Sequence, residues 1–145
     1  MLRYLAIAAA LAIGATTVYA QNADVIDQRQ KSMKALGGAA KGPGGMMKGA
    51  TPFDLAVVKT SLMTFQEQAA KSKDLYPDDS KSGDTKALPI VWEKKDDFLG
   101  KFDGLVAAAK AAETSITDEA SFKAEWGKVM ASCGGCHKVY REAKK

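Results

Sequence analysis

The residue types able to do covalent or metal-ligand chemistry are gathered in five positions, Cys133-Gly134-Gly135-Cys136-His137. The chain has two cysteines and one histidine, and all three are in this run. Cys-x-x-Cys-His is the attachment pattern of a c-type haem: two thiols add to the porphyrin vinyl groups, and the next residue offers an imidazole to the iron. A structural zinc site wants four ligands, and only three candidates exist. A thioredoxin-like dithiol wants its motif at a helix start in a βαβ setting. Here the motif falls in the last turns of a helical segment in an all-helical chain. The reading is one covalent haem c, with Cys133 and Cys136 as the tethers and His137 as an iron ligand.

Four segments with helical periodicity must position that group. In the first, Ile26, Arg29, Met33, Leu36 and Ala40 recur at spacings of 3, 4, 3 and 4. The second opens with Thr51-Pro52-Phe53-Asp54, read as an N-cap hydroxyl, a first-turn proline and an acid three residues on. Leu55, Val58, Leu62, Phe65 and Ala69 then repeat on one stripe. The third spans about Ile90 to Glu113, with Val91, Phe98, Phe102, Leu105, Ala109 and Ala112 in line. The fourth starts near Thr117 or Asp118, and its stripe is Phe122, Trp126, Val129, Cys133, Cys136 and Tyr140. Such seams belong to helices packed at shallow angles, and no segment alternates with period two. The fold class is all-α, an antiparallel four-helix bundle. Its breaks are Lys41–Ala50, where Met46 and Met47 either continue the first helix past Pro43 or cover the bundle end, then Asp74–Pro89, expected on the surface, and Thr114–Thr117.

Cys133 and Cys136 are seam positions, and His137 lies one turn beyond Cys133 on the same face. A haem tethered there sits inside the bundle. Something from another helix must then lie across the iron from His137. The first helix has two unusual seam residues. A core-facing Arg29 is costly unless paired, and haem propionates are the obvious partners, with Gln30 beside it able to add a hydrogen bond. The alternative is an arginine that snorkels to water at the bundle end. Met33, one turn further in, is either core filler or a sixth iron ligand; Met/His ligation raises haem potential. Met46, Met47, Met63 and Met130 are the other candidates.

The ends and the charge bound the setting. Residues 1–20 read as a signal peptide: Arg3, an apolar Leu5–Ile13 core too short for a membrane span, and Val18-Tyr19-Ala20 before Gln21. Residues 21–145 are then one exported, periplasmic domain, with no membrane in the mature form. The formal net charge of +4 is mild, and the pattern has no aromatic-basic patch for nucleic acid. Lys138, Arg141, Lys144 and Lys145 form a basic cluster, either a solvated helix end or a docking patch for an acidic redox partner.

The chain resembles the class II c-type cytochromes, cytochrome c′ and the cytochromes c-556. The markers are the late Cys133-x-x-Cys136-His137 followed by Tyr140-Arg141, the early Arg29-Gln30-x-x-Met33, Thr51-Pro52-Phe53-Asp54, and Pro89-x-x-Trp92. The resemblance implies thioethers at Cys133 and Cys136, His137 as proximal ligand, propionate contacts from Arg29 and Gln30, Thr85 at the haem edge, and Arg141 near the proximal histidine. Met33 takes the distal position. In cytochrome c′ that position holds a non-bonding side chain over a five-coordinate iron that binds nitric oxide or carbon monoxide; in the c-556 group it is a coordinating Met. Three functions follow: an electron carrier with His137/Met33 ligation, a haem protein binding a diatomic gas, and a haem enzyme, the last disfavoured because no second histidine can act as a distal base. Homodimers are common in the family.

Overall fold

In a computed structural model of the chain, which describes residues 22–143, every regular element is a helix. Helix α1 covers residues 22–39, and α2 is Lys41–Met47. The chain kinks at Ala40, not at Pro43. The ring of Pro43 clashes with the carbonyl four residues back, so the break falls near Ala39 and the helix restarts with proline in its first turn. The kink is shallow: Ala40 N–H donates to Leu36 O (3.2 Å) and Gly44 N–H to Ala40 O (3.0 Å). Helix α2 buries Met46 and leaves Met47 on the surface, which settles the ambiguity in the first break as a continued helix.

Helix α3 is Leu55–Ser72, and its cap corrects the sequence reading. The N-cap is Asp54, not Thr51. Asp54 Oδ1 accepts from Ala56 N–H (2.9 Å) and Val57 N–H (3.1 Å). A carboxylate accepts more strongly than a hydroxyl at the positive end of a helix. Thr51-Pro52-Phe53 stays outside the helix, and the Phe53 ring lies 5.5 Å from that of Phe122.

The third periodic segment is two helices, α4 (Ile90–Glu93) and α5 (Lys95–Ser115), broken at Lys94 with φ −120° and ψ 46°. The apolar stripe runs through the break, which is why periodicity did not show it. Helix α6 is Glu119–Tyr140, begun by a capping box between Asp118 and Ser121.

The long helices run antiparallel in sequence. Ser32 of α1 hydrogen-bonds Ser72 of α3 (2.7 Å). Lys73 pairs with Asp103 at one end of the α3–α5 contact, and Gln66 donates to Glu113 further along it. Tyr140 at the end of α6 donates to Asp97 at the start of α5. The predicted seams form the core: Val58, Leu62, Ala69, Val91, Ala109 and Phe122 are fully buried. Each large apolar side chain removed from water in this way contributes about 1.5–3 kcal/mol. Among the described residues there is no strand, only an isolated bridge between Ala87 and Arg141.

Aromatic rings fill both ends of the bundle. Phe53, Phe65, Phe122 and Trp126 contact one another at one end. Tyr76, Trp92, Phe98, Phe102 and Tyr140 do so at the other. The segment before α4 lies largely at the surface, as expected, but it is anchored inward at two residues. It starts as a short 3₁₀ turn, Lys73–Leu75, then buries Tyr76 and Ser80. Gly83 has φ +121°, and a Cβ there would lie 2.8 Å from Ile26 Cδ1. The positive φ is the demand that favours glycine here, since the Ile26 side chain can move its tip.

No helix among the described residues is long and apolar enough to cross a membrane. The expected leader, residues 1–20, lies outside the described residues, as do Lys144 and Lys145.

Candidate functional site

The last turns of α6 carry Cys133, Cys136 and His137, all half-buried, while Gly134 and Gly135 face outward. The motif residues therefore line the edge of the interior and are not sealed within it. Cys136 packs against the main apolar cluster. Burial pushes both thiols above their ordinary range, with Lys101 partly offsetting this at Cys136.

Arg29 is buried, 4 % exposed, so it does not snorkel to water. Its Nη2 donates to Ser80 O (2.8 Å). The guanidinium carbon lies 4.7 Å from the Tyr76 ring centre and 5.6 Å from that of Trp92. Desolvation lowers its pKa, and the field of Tyr76 opposes that; an arginine nonetheless stays cationic in a protein. Nε and Nη1 are buried with no partner. An unpaired buried donor costs about 1–3 kcal/mol, and more on a charged group. Ring contacts of this kind return roughly 0.5–2 kcal/mol. Two idle nitrogens on a buried cation, carrying three N–H groups and with no partner among the described residues, are the donor set that a haem propionate would satisfy. By this test the residues fit the group.

The other site residues are brought to the same end of the bundle. Gln30 Nε2 donates to Asp84 O (2.8 Å), so its amide is engaged with the loop. Thr85 is half-buried, and its Oγ1 accepts from Ala87 N–H (3.2 Å). Arg141 follows α6 and pairs through its backbone with Ala87. Leu88 N–H donates to Tyr140 O (3.0 Å), and Glu142 N–H to Lys86 O (2.9 Å), latching the loop to the end of α6. Lys138 is exposed.

The methionines separate by position. Met47 and Met63 are exposed at 37 % and 52 %. Met46 is buried on α2, beyond the kink and away from Arg29. Met130 is on α6 itself, two turns before His137, and one straight helix cannot bind an iron from both sides. Met33, half-buried on α1 one turn past Arg29, packs against the apolar cluster that Cys136 also touches.

Sequence reasoning missed Tyr76, Ser80 and Asp97. Tyr76 carried a weak signal, an aromatic in an otherwise polar loop. Trp92 was noted only as a family marker, with no role attached.

The family described as Cytochrome C' matches residues 24–141. The chain belongs to this family. A cytochrome c′ of Rhodopseudomonas palustris is 44% identical over 99% of this chain and 98% of its own length. A cytochrome c-556 of Agrobacterium fabrum is 35% identical over 90% and 88% respectively. The solved structure of cytochrome c′ from Rhodopseudomonas palustris superposes with a TM-score of 0.82 at 46% identity, covering 84% of this chain and 98% of that one. As in other cytochrome c′ family members, the cofactor is haem c. The four-helix bundle of the cytochrome c′ family is thus the fold of this chain as well.

Proposed function

We propose that this member of the cytochrome c′ family is an exported, periplasmic electron-transfer protein, with its leader removed and no enzymatic activity of its own. Cys133 and Cys136 would hold the haem covalently, and His137 and Met33 would bind the iron. Bound haem supplies the one-electron couple. The chain's part is to hold that group at low reorganisation cost between α1 and α6. Arg29 would neutralise a propionate, Gln30 and Thr85 would fix the loop beside it, and the aromatic end would exclude water. The observation that carries the reading is the place of Met33: one turn beyond a buried arginine with idle donors, on the apolar cluster that Cys136 also touches. Redox partner proteins would be the clients, with Lys138 and Arg141 beside the motif offering positive charge to an acidic surface. Neither nucleic acid nor membrane enters this reading.

A second reading has its own support. The relative called cytochrome c′ is more similar to this chain than the one called cytochrome c-556. In that reading Met33 stays off the iron, and the open distal face takes nitric oxide or carbon monoxide. A homodimer is compatible with both.

Optical spectra of the purified holoprotein in both redox states, with and without carbon monoxide, decide between them. A low-spin spectrum unmoved by carbon monoxide is expected. Met33→Leu should convert it to a high-spin form that binds the gas. A wild-type spectrum that is already high-spin and shifts with carbon monoxide would overturn Met33 ligation.

A further inference from the structure

Arg29 is held by more than its one hydrogen bond. Tyr76 and Trp92 lie 6.3 Å apart, their planes inclined at 57°, and form a corner with the guanidinium over both rings. The two rings are tied into the turn that binds Nη2. Pro77 O accepts from Trp92 Nε1–H (3.0 Å), from Ser80 Oγ–H (2.7 Å) and from Ser80 N–H (3.1 Å). Ser80 O then accepts from Arg29 Nη2 (2.8 Å). Tyr76 directly precedes Pro77 in the chain. One carbonyl therefore joins the indole, the turn and, through Ser80, the arginine. The result fixes all of the guanidinium except the edge bearing Nε and Nη1, which is left without a partner.

We infer that Tyr76 and Trp92 are positioning residues: they set the guanidinium so that Nε and Nη1 meet a buried carboxylate of the haem, and through Arg29 they tune the reduction potential. The inference rests on the assignment of Arg29 to a haem propionate. A cation near the iron favours the reduced state, whose charge is one unit less positive. Displacing Arg29, or letting it swing to water, lowers the potential. The rings act only through Arg29, so their effect must vanish where Arg29 is absent.

The experiment is redox titration of the holoprotein followed by its visible spectrum, on Arg29→Leu, Tyr76→Leu, Tyr76→Phe, Trp92→Phe and the double variant Arg29→Leu/Tyr76→Leu. Arg29→Leu should lower the potential. Tyr76→Leu should lower it by less, and Tyr76→Phe, which keeps the ring face, should restore it. The double variant should match Arg29→Leu alone. Trp92→Phe keeps a ring but removes the N–H to Pro77 O; it should also lower the potential, and it guards against a folding failure of Tyr76→Leu. A Tyr76→Leu shift that persists in full without Arg29 overturns the inference, as does a lowered potential in Arg29→Leu alone, with neither ring variant shifted. An unshifted Arg29→Leu instead overturns the propionate assignment beneath it.

Discussion

Tyr76 and Tyr140 hold their phenolic protons for different reasons. Burial pushes Tyr76 up to about 12, while the hydrogen bond to Asp97 is the main cause of the same rise at Tyr140. A phenol raised in the fold stabilises it fully below the unfolded value of about 10, and that contribution is lost as pH rises through 12. The partner behaves oppositely. Asp97 is held below the usual carboxylate range, first by Tyr140 and then by Lys101. Its contribution is present above the unfolded carboxylate value of about 3.9 and is lost as pH falls through the lower folded value. Tyr140→Phe should therefore flatten both the alkaline and the acid limbs of stability against pH, whereas Tyr76→Phe should flatten only the alkaline one. Helical circular dichroism in denaturant at a series of pH values would show this, and an unchanged acid limb in Tyr140→Phe would count against the Asp97 bond. At this scale, Cys133, Cys136 and His137 were legible because the chain offers no other thiol or imidazole. Arg29 was legible because a seam cation demands a counter-charge. Tyr76 and Ser80 were not, since a loop has no period from which to read burial.

Among the elements, the seams were legible and the punctuation was not. Apolar spacing located α3, α5 and α6 because burial of one face is the largest local energy. It could not see the break at Lys94, where a single residue leaves helical geometry while the stripe passes on, nor choose between two acceptors three residues apart at the start of α3. The choice has a measurable consequence. Asp54→Ala should cost about 1 kcal/mol of unfolding free energy, the usual loss of an N-cap. Thr51→Ala, at an exposed site outside the helix, should stay within about 0.5 kcal/mol. Chemical denaturation of the two variants compares them directly, and a larger loss at Thr51 would return the cap to the hydroxyl. The Asp74–Pro89 connection was read only in part for a related reason: its polar composition describes its exposed side, while the buried Tyr76 and Ser80 anchor it inward.

Taken whole, the molecule has two aromatic ends with different duties. The end built from Phe53, Phe65, Phe122 and Trp126 closes on itself. The end built around Tyr76 leaves Nε and Nη1 of Arg29 without a partner. Stability should divide accordingly. In a chain with Cys133→Ala and Cys136→Ala, which cannot tether haem, amides of α1 and the last turns of α6 should exchange with solvent well before those around Phe65 and Trp126, relative to the holoprotein. Uniform loss of protection along the chain would show instead a single cooperative unit. The loop over that open end turns at Gly83, whose φ of +121° suits glycine and few other residues. An added Cβ there would lie 2.8 Å from Cδ1 of Ile26, one helical turn before Arg29, a contact that the movable tip of that side chain can relieve. The backbone turn is therefore the stricter demand at this position, three residues after the Ser80 carbonyl that meets the guanidinium. The loop reaches the arginine by way of a residue that carries no side chain at all.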